Sequence, residues 1–159
     1  MSSPHVIFVC WGNICRSPMA EVVARHWAER DGVDAVFTSA GVSSEEAGNP
    51  MDARAIAALR RAGYPTGPHT AHRITASEIR DAALVVGMED LHLDRMLRLV
   101  PDASNLRLLT DFDPTAVPGT GVPDPWYGPA AGFADTLDAL EAAMPDLLEH
   151  VRGFSAPVP

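Results

Sequence analysis

Apolar and polar positions change period repeatedly along this chain, and each change marks an element. Val6-Ile7-Phe8-Val9-Cys10 is an unbroken apolar run, β-branched and aromatic, and predicts a short buried strand. From Met19 the apolar residues Met19, Val22, Val23 and Trp27 recur at helical spacing, with Arg25, Glu29 and Arg30 turned away, so an amphipathic helix is expected to end near Gly32. Residues 35–38 read as a second strand. Asn49-Pro50-Met51-Asp52 predicts a helix start, with Asn49 as cap, and Gly63 its stop. Thr75 and Glu78 form a capping box at the head of a short helix. Residues 83–88 predict a third strand, apolar on both faces as a central parallel strand is, followed by a helix over 90–100 and a fourth strand over 106–109. Residues 110–129, rich in aspartate and proline, predict a long loop of the kind that carries function. A final helix places Phe133, Leu137, Leu140, Met144, Leu147, Leu148 and Val151 on one stripe, and Pro145 is expected to kink or split it.

Strands alternating with helices predict an α/β fold: a single doubly wound domain over residues 1–154, with a four-stranded parallel sheet flanked by helices on both faces. Residues 155–159 are expected to be a frayed tail. Ligands of such folds lie at the carboxyl ends of the strands, where the strand order switches. Cys10 ends the first strand.

Composition narrows the function. The 159 residues carry 47% hydrophobic and 21% charged side chains, ordinary for one globular domain. The formal net charge of −9 argues against nucleic acid as a partner, because that binding neutralises phosphates with cations. The chain has no lysine, which excludes a phosphate-loop lysine and a lysine Schiff base. The first apolar run is too short for a signal peptide or a membrane span. Two cysteines make no disulfide framework, so a reducing, cytoplasmic setting is expected, with no membrane partner.

The chemistry concentrates in residues 10–18. Cys10 is followed by Gly12 and Asn13, which accept positive φ at low cost, then by Ile14, Cys15 and Arg16. Ser17 and Pro18 read as an N-cap and a first helical residue. A strand, tight loop and helix N-terminus in this order expose backbone N–H groups and the positive end of a helix dipole, which together bind an anion. The Arg16 fork holds two oxygens of a phosphate, and backbone N–H groups of residues 11–16 hold the rest. Cys10, among these donors, is expected to act as a thiolate nucleophile toward phosphorus, with Ser17 donating to its sulfur. The competing readings are two ordinary buried thiols, or a metal site; no second cysteine pair or His-x3-His completes the latter, so no metal and no cofactor are expected. Phosphoryl transfer also needs an acid for the leaving oxygen. Composition leaves Asp113 and Asp124 equally eligible.

Residues 9–21, Val-Cys-Trp-Gly-Asn-Ile-Cys-Arg-Ser-Pro-Met-Ala-Glu, resemble the signature of the low-molecular-weight protein tyrosine phosphatases. The resemblance continues at Thr38-Ser39-Ala40-Gly41, Gly48-Asn49-Pro50, Pro68-His69-Thr70-Ala71 and Asp124-Pro125-Trp126-Tyr127-Gly128. It implies the same doubly wound sheet and hydrolysis of phosphotyrosine proteins or peptides through a cysteinyl-phosphate, with phosphate as product. It selects Asp124 as the acid, and it assigns Ser39 and His69, with Asn13 and Ser17, to loop support. His72 stands where the family often has arginine. Trp11, Ile14, Trp126 and Tyr127 are expected to wall the substrate ring. Glu45 and Glu46 stand where the family commonly has an aromatic; they either repel acidic flanks, hold a phosphoarginine guanidinium, or form a solvated loop tip. Cys15 is expected to capture an oxidised Cys10 as a disulfide, a redox-sensitive arrangement. Two alternatives stand beside this reading: a protein-arginine phosphatase of the same fold, which carries threonine at the position of Ile14, and a non-catalytic phosphate-binding module. Thioredoxin-linked arsenate reductases need two further cysteines that this chain lacks.

Overall fold

The computed structural model describes residues 3–155. Four parallel strands, β1 (His5–Cys10), β2 (Val36–Gly41), β3 (Leu84–Gly87) and β4 (Leu106–Leu108), form one sheet in the order β2-β1-β3-β4. Five helices connect and cover them: α1 (Arg16–Asp31), α2 (Ala53–Arg61), α3 (Ala76–Asp81), α4 (Asp90–Leu99) and α5 (Gly132–Ser155). This is the doubly wound α/β domain the sequence predicts.

Alternation along β1 assigns its two faces. Val6, Phe8 and Cys10 belong to the larger core, with Met19 and Val23 of α1, Ala55 and Leu59 of α2, and the whole Phe133–Val151 stripe of α5. Ile7 and Val9 face the smaller core with Ile79 of α3 and Met96 of α4. Both interior strands, β1 and β3, are apolar on both faces because helices cover each side. The chain leaves β1 toward β2 on one side and later returns to β3 on the other. The crevice at the carboxyl ends of these strands is therefore the switch point, and Cys10 stands at its edge.

Several boundaries differ from the sequence reading. Helix α1 begins at Arg16 with Cys15 at the cap position, so Ser17 is not the N-cap. Pro18 is tolerated inside the first turn, where its missing N–H has no intrahelical partner to lose. Asn49 does not cap α2; Asp52 does, accepting from the Arg54 N–H at 2.8 Å, while the Asn49 amide is spent on Glu46. Strand β2 extends to Gly41, three residues past the predicted end, because the whole of β1 pairs with it from His5 to Cys10. Gly41 also cannot be larger without moving its neighbours: a Cβ there would meet Trp11 O at 2.7 Å. The long loop contains two 3₁₀ turns, Leu109–Phe112 and Pro125–Tyr127. Pro145 lies inside α5 without splitting it. Met144, Leu147 and Leu148 are buried on the inner face, while Pro145 sits on the exposed side, where the carbonyl it leaves unbonded is nearest to solvent. The expected tail falls on residues outside those described, except Ser155, which closes α5.

Because α5 runs on past the proline, restoring the missing bond has a clear consequence. Pro145→Ala is expected to stabilise the protein, by about 3 kcal/mol at most. A urea midpoint that stays level or falls would mean that the curvature imposed by Pro145 is needed for packing.

Candidate active site

The loop between β1 and α1 is held from outside by its carbonyls. Val42 N–H donates to Cys10 O at 3.0 Å, Ser43 N–H to Trp11 O at 3.1 Å and Asp52 N–H to Ile14 O at 2.8 Å. His69 Nε2 donates to Asn13 O at 2.7 Å. By contrast, none of the N–H groups of Trp11–Arg16 donates to a protein acceptor among the described residues. The loop thus spends its acceptors on the fold and keeps its donors, the arrangement an anion requires.

Asn13 makes this path feasible. It alone among described non-glycine residues has a positive φ, 62°, and asparagine tolerates that region better than most. Gly12 does not use positive φ; it is small because Glu46 Cγ would lie 3.1 Å from a Cβ. The fully buried Asn13 amide donates to Ser17 Oγ at 2.8 Å and Ser39 Oγ at 3.0 Å, and its Oδ1 accepts from the His72 backbone N–H at 3.1 Å. His72 serves this purpose through its backbone, while its ring meets Glu78. Ser39 also reaches Glu21 on α1.

Cys10 is nearly fully buried, with its Sγ 3.0 Å from Ser17 Oγ. That hydroxyl accepts from Asn13 and has the Ala40 carbonyl at 3.2 Å as its other neighbour. Cys15 is also buried; desolvation, aided by Asp52, pushes its thiol up to about 12.

Arg16, the first residue of α1, is 2% exposed. Its Nη1 donates to Glu89, the residue preceding α4, and to Val122 O at 2.8 Å. Its Nη2 stands 3.6 Å from Asp124 Oδ2. The Nε edge has no protein partner among the described residues, which leaves the guanidinium fixed at one side and open at the other. Asp124 caps the second 3₁₀ turn, accepting from Trp126 N–H at 3.1 Å. Asp113 is bound instead to Thr115, through N–H at 2.9 Å and Oγ1 at 2.7 Å, and lies outside the cleft.

One cleft joins Cys10, Trp11, Gly12, Ile14, Cys15 and Arg16 to Asp124, Trp126 and Tyr127, and to Glu45 and Glu46. Ser17, Asn13, Ser39 and His69 stand behind it. Glu45 accepts from Trp11 Nε1 at 3.1 Å, and Glu46 from Asn49 at 2.7 Å. Trp126 is half exposed under the Arg54 guanidinium, and Tyr127 is 89% exposed. Among the described residues no cluster of three or more His, Cys, Asp and Glu side chains could hold a metal ion, and no helix is long and apolar enough to cross a membrane.

Sequence reasoning missed Glu89 and His92. The signal available was position: Glu89 follows the carboxyl end of β3, at the switch point. His92 is wholly buried; its Nδ1 accepts from the Glu89 N–H at 3.0 Å, and its Nε2 has no partner. Burial, with Arg16 nearby, pulls its pKa down to about 3.

Fold and loop together define a class: phosphatases that use a cysteine thiol in place of a metal. Residues 5–154 match the family described as low molecular weight phosphotyrosine protein phosphatase. A low molecular weight protein-tyrosine-phosphatase of Streptomyces coelicolor is 41% identical over 154 residues, 93% of each chain. The crystal structure of a protein tyrosine phosphatase from Entamoeba histolytica matches with a TM-score of 0.89 at 27% identity, covering 97% of this chain and 100% of that one. The arginine phosphatase YwlE of Bacillus subtilis matches with a TM-score of 0.80 at 27% identity, covering 92% and 95%. The chain belongs to the low molecular weight phosphotyrosine protein phosphatase family, whose members hydrolyse phosphate monoesters through a cysteinyl-phosphate without a metal.

A buried neutral His92 links this site to acid stability. Its folded pKa lies below the ordinary value of 6.5, so the unfolded chain binds the extra proton, and stability is lost as pH falls from about 6.5 toward 3. His92→Asn keeps an acceptor for the Glu89 N–H and removes the titration. The variant is expected to show a flatter loss of denaturation midpoint between pH 6.5 and 4 than the parent protein does; parallel curves would place the acid sensitivity elsewhere.

Proposed function

We propose that this protein dephosphorylates phosphotyrosine in proteins or peptides, with Cys10 as nucleophile, Arg16 as the transition-state clamp and Asp124 as acid and then base. The observation that carries this reading is the unspent row of N–H groups from Trp11 to Arg16 beside a buried thiol and a half-engaged guanidinium. Cys10 Sγ attacks phosphorus as the phenolate leaves. Loop N–H groups and Arg16 meet the equatorial oxygens, and Asp124 protonates the leaving oxygen. Water, activated by the Asp124 carboxylate, then displaces Cys10 from the cysteinyl-phosphate. Ser17 donates to the departing sulfur. Trp11, Ile14, Trp126 and Tyr127 supply apolar surface for the aromatic ring.

The likeness to an arginine phosphatase keeps a second substrate in view, since Glu45 and Glu46 line the cleft and carry charge suited to a guanidinium. Two observations favour tyrosine. Glu45 is engaged by Trp11, and Ile14 presents an apolar side chain beside the nucleophile. A kcat/KM higher for phosphoarginine than for phosphotyrosine peptides would overturn the assignment.

The roles separate by substitution. Cys10→Ser is expected to abolish turnover while still binding phosphate, because the donors remain. Arg16→Lys is expected to fail too, since an ammonium cannot replace the fork and leaves Glu89 poorly paired. Asp124→Asn is expected to slow phenyl phosphates with poor leaving groups by about 10²-fold and nitrophenyl phosphate much less. Equal losses across that series would remove Asp124 from the acid role.

The proposed redox response is constrained by Cys15. A sulfenic acid on Cys10 condenses with the Cys15 thiol to give a disulfide and water. With its thiol held near 12, Cys15 carries little thiolate at neutral pH. Capture after peroxide is therefore expected to be slow and to quicken with rising pH; recovery of activity equal in Cys15→Ser would leave Cys15 a packing residue.

A further inference from the structure

Beyond Trp11 lies another pocket that the catalytic scheme does not use. Arg73, Arg95 and Arg98 line it with Val42 and Leu99. Three independent elements bring them there. Arg73 follows the catalytic-loop contact at His72 and pairs with Gly41 in an isolated bridge at the end of β2. Arg95 and Arg98 stand three residues apart on α4 and so share a face. Val42 lies beside the nucleophile, its N–H on Cys10 O. The two pockets are joined by one contact: the Arg95 guanidinium lies 4.7 Å from the centroid of the Trp11 ring, and Trp11 lines the cleft.

The charge of this pocket is out of keeping with the protein. The net charge is −9, and only 12 cationic side chains are present, all arginine. None of these three guanidinium groups makes an ion pair among the described residues; Arg60, Arg61 and Arg80 make none either, but only Arg73, Arg95 and Arg98 come together in one pocket. Asp94, on α4 itself, and Glu78, on α3, form no ion pair with them among the described residues. Unmatched arginines converging on a concave surface with apolar walls suit an oxyanion carried on a chain, with the stem against Val42 and Leu99 and the charge among the forks.

We infer that this pocket is a subsite for an anionic residue flanking the phosphotyrosine, a carboxylate or a second phosphate, on the side of the peptide that passes over Trp11. The inference rests on the reading of the cleft as a phosphotyrosine site. It gives the mouth a polarity: Glu45 and Glu46 line the cleft itself, and the arginines lie past Trp11. A bound peptide is thereby oriented, with its acidic flank on the α4 side.

The test compares kcat/KM among phosphotyrosine peptides that differ only in flank: neutral, glutamate-bearing and phosphoserine-bearing, with the charge placed before or after the tyrosine. The parent enzyme is expected to favour the anionic peptides on one side of the tyrosine by about threefold to tenfold, and less at high salt. In R73Q/R98Q the ratio of anionic to neutral peptide is expected to fall to about one, and in Arg98→Glu to invert. The ratio cancels any general effect on catalysis. A preference for phosphoserine alone assigns the subsite to a second phosphate, and a preference for both assigns it to anions generally. Ratios near one in the parent, or ratios unmoved by both variants, overturn the subsite. Nitrophenyl phosphate and a neutral peptide report the cleft separately: failure to turn over phosphotyrosine at all refutes the proposed function, whereas full turnover with flat ratios refutes only the subsite.

Discussion

The buried amide of Asn13 is the interaction on which the site depends. A loop that offers its N–H groups inward has to turn its carbonyls outward, and it can do so in so few residues only by passing through the left-handed region. Asn13 takes that conformation, and its side chain fixes it by three hydrogen bonds, to Ser17 on α1, Ser39 on β2 and the backbone of His72. His69 adds a fourth at the carbonyl. These four bonds tie three separate segments, α1, β2 and the loop over 69–72, to one residue with no exposure to solvent. A buried amide with any of these unmade would cost about 1–3 kcal/mol, so the loop holds its shape without a ligand. An oxyanion hole formed in advance needs no reorganisation when charge develops.

The second constraint is the placement of the arginine. Guanidinium burial is unfavourable unless the charge is met. Glu89 and the Val122 carbonyl meet it on one edge, and these come from the carboxyl end of β3 and from the long loop before Asp124. Val122 is itself anchored by its N–H on Met88 O at 2.8 Å. The switch point of the sheet therefore does more than open a crevice: it delivers a carboxylate from one strand to orient the cation that follows another. His92, by accepting the Glu89 N–H, closes the start of α4 around the same carboxylate.

Legibility in the sequence followed the range of the interactions. Strand β1, the stripe on α5 and the Thr75 capping box follow from apolar period and neighbours close in the chain, and residue type alone marked Asn13 as able to take positive φ. The starts of α1 and α2 were misplaced because the expected caps are spent elsewhere: Ser17 is drawn to Cys10 and Ala40 across the fold, and Asn49 to Glu46, which leaves Asp52 to cap α2. Glu89 was invisible because its partner lies 73 residues away. Pro145 does not split α5, because the buried stripe from Phe133 to Val151 holds the helix together on both sides of it. The loop and acid motifs were readable largely through family resemblance; composition alone did not separate Asp124 from Asp113.

Asp124 and Asp113 differ in what each carboxylate already bonds and in whether it lines the cleft. Nine net negative charges repel a phosphate dianion at long range, but at physiological ionic strength that field is screened beyond about 8 Å. Recognition therefore falls to contacts within the cleft, and the acidic groups near it are mostly committed. Glu45 is held by Trp11, Glu46 by Asn49, Asp52 by Arg54 and Glu89 by Arg16. Asp113 is closed on Thr115. Asp124 alone lines the cleft with one backbone N–H bond and a loose 3.6 Å approach to Arg16. A carboxyl that exchanges its proton with a leaving group has to be positioned yet not saturated with donors, since each further donor to the anion makes the proton harder to hold. Among the carboxylates lining this cleft, Asp124 is the one that also approaches the Arg16 guanidinium.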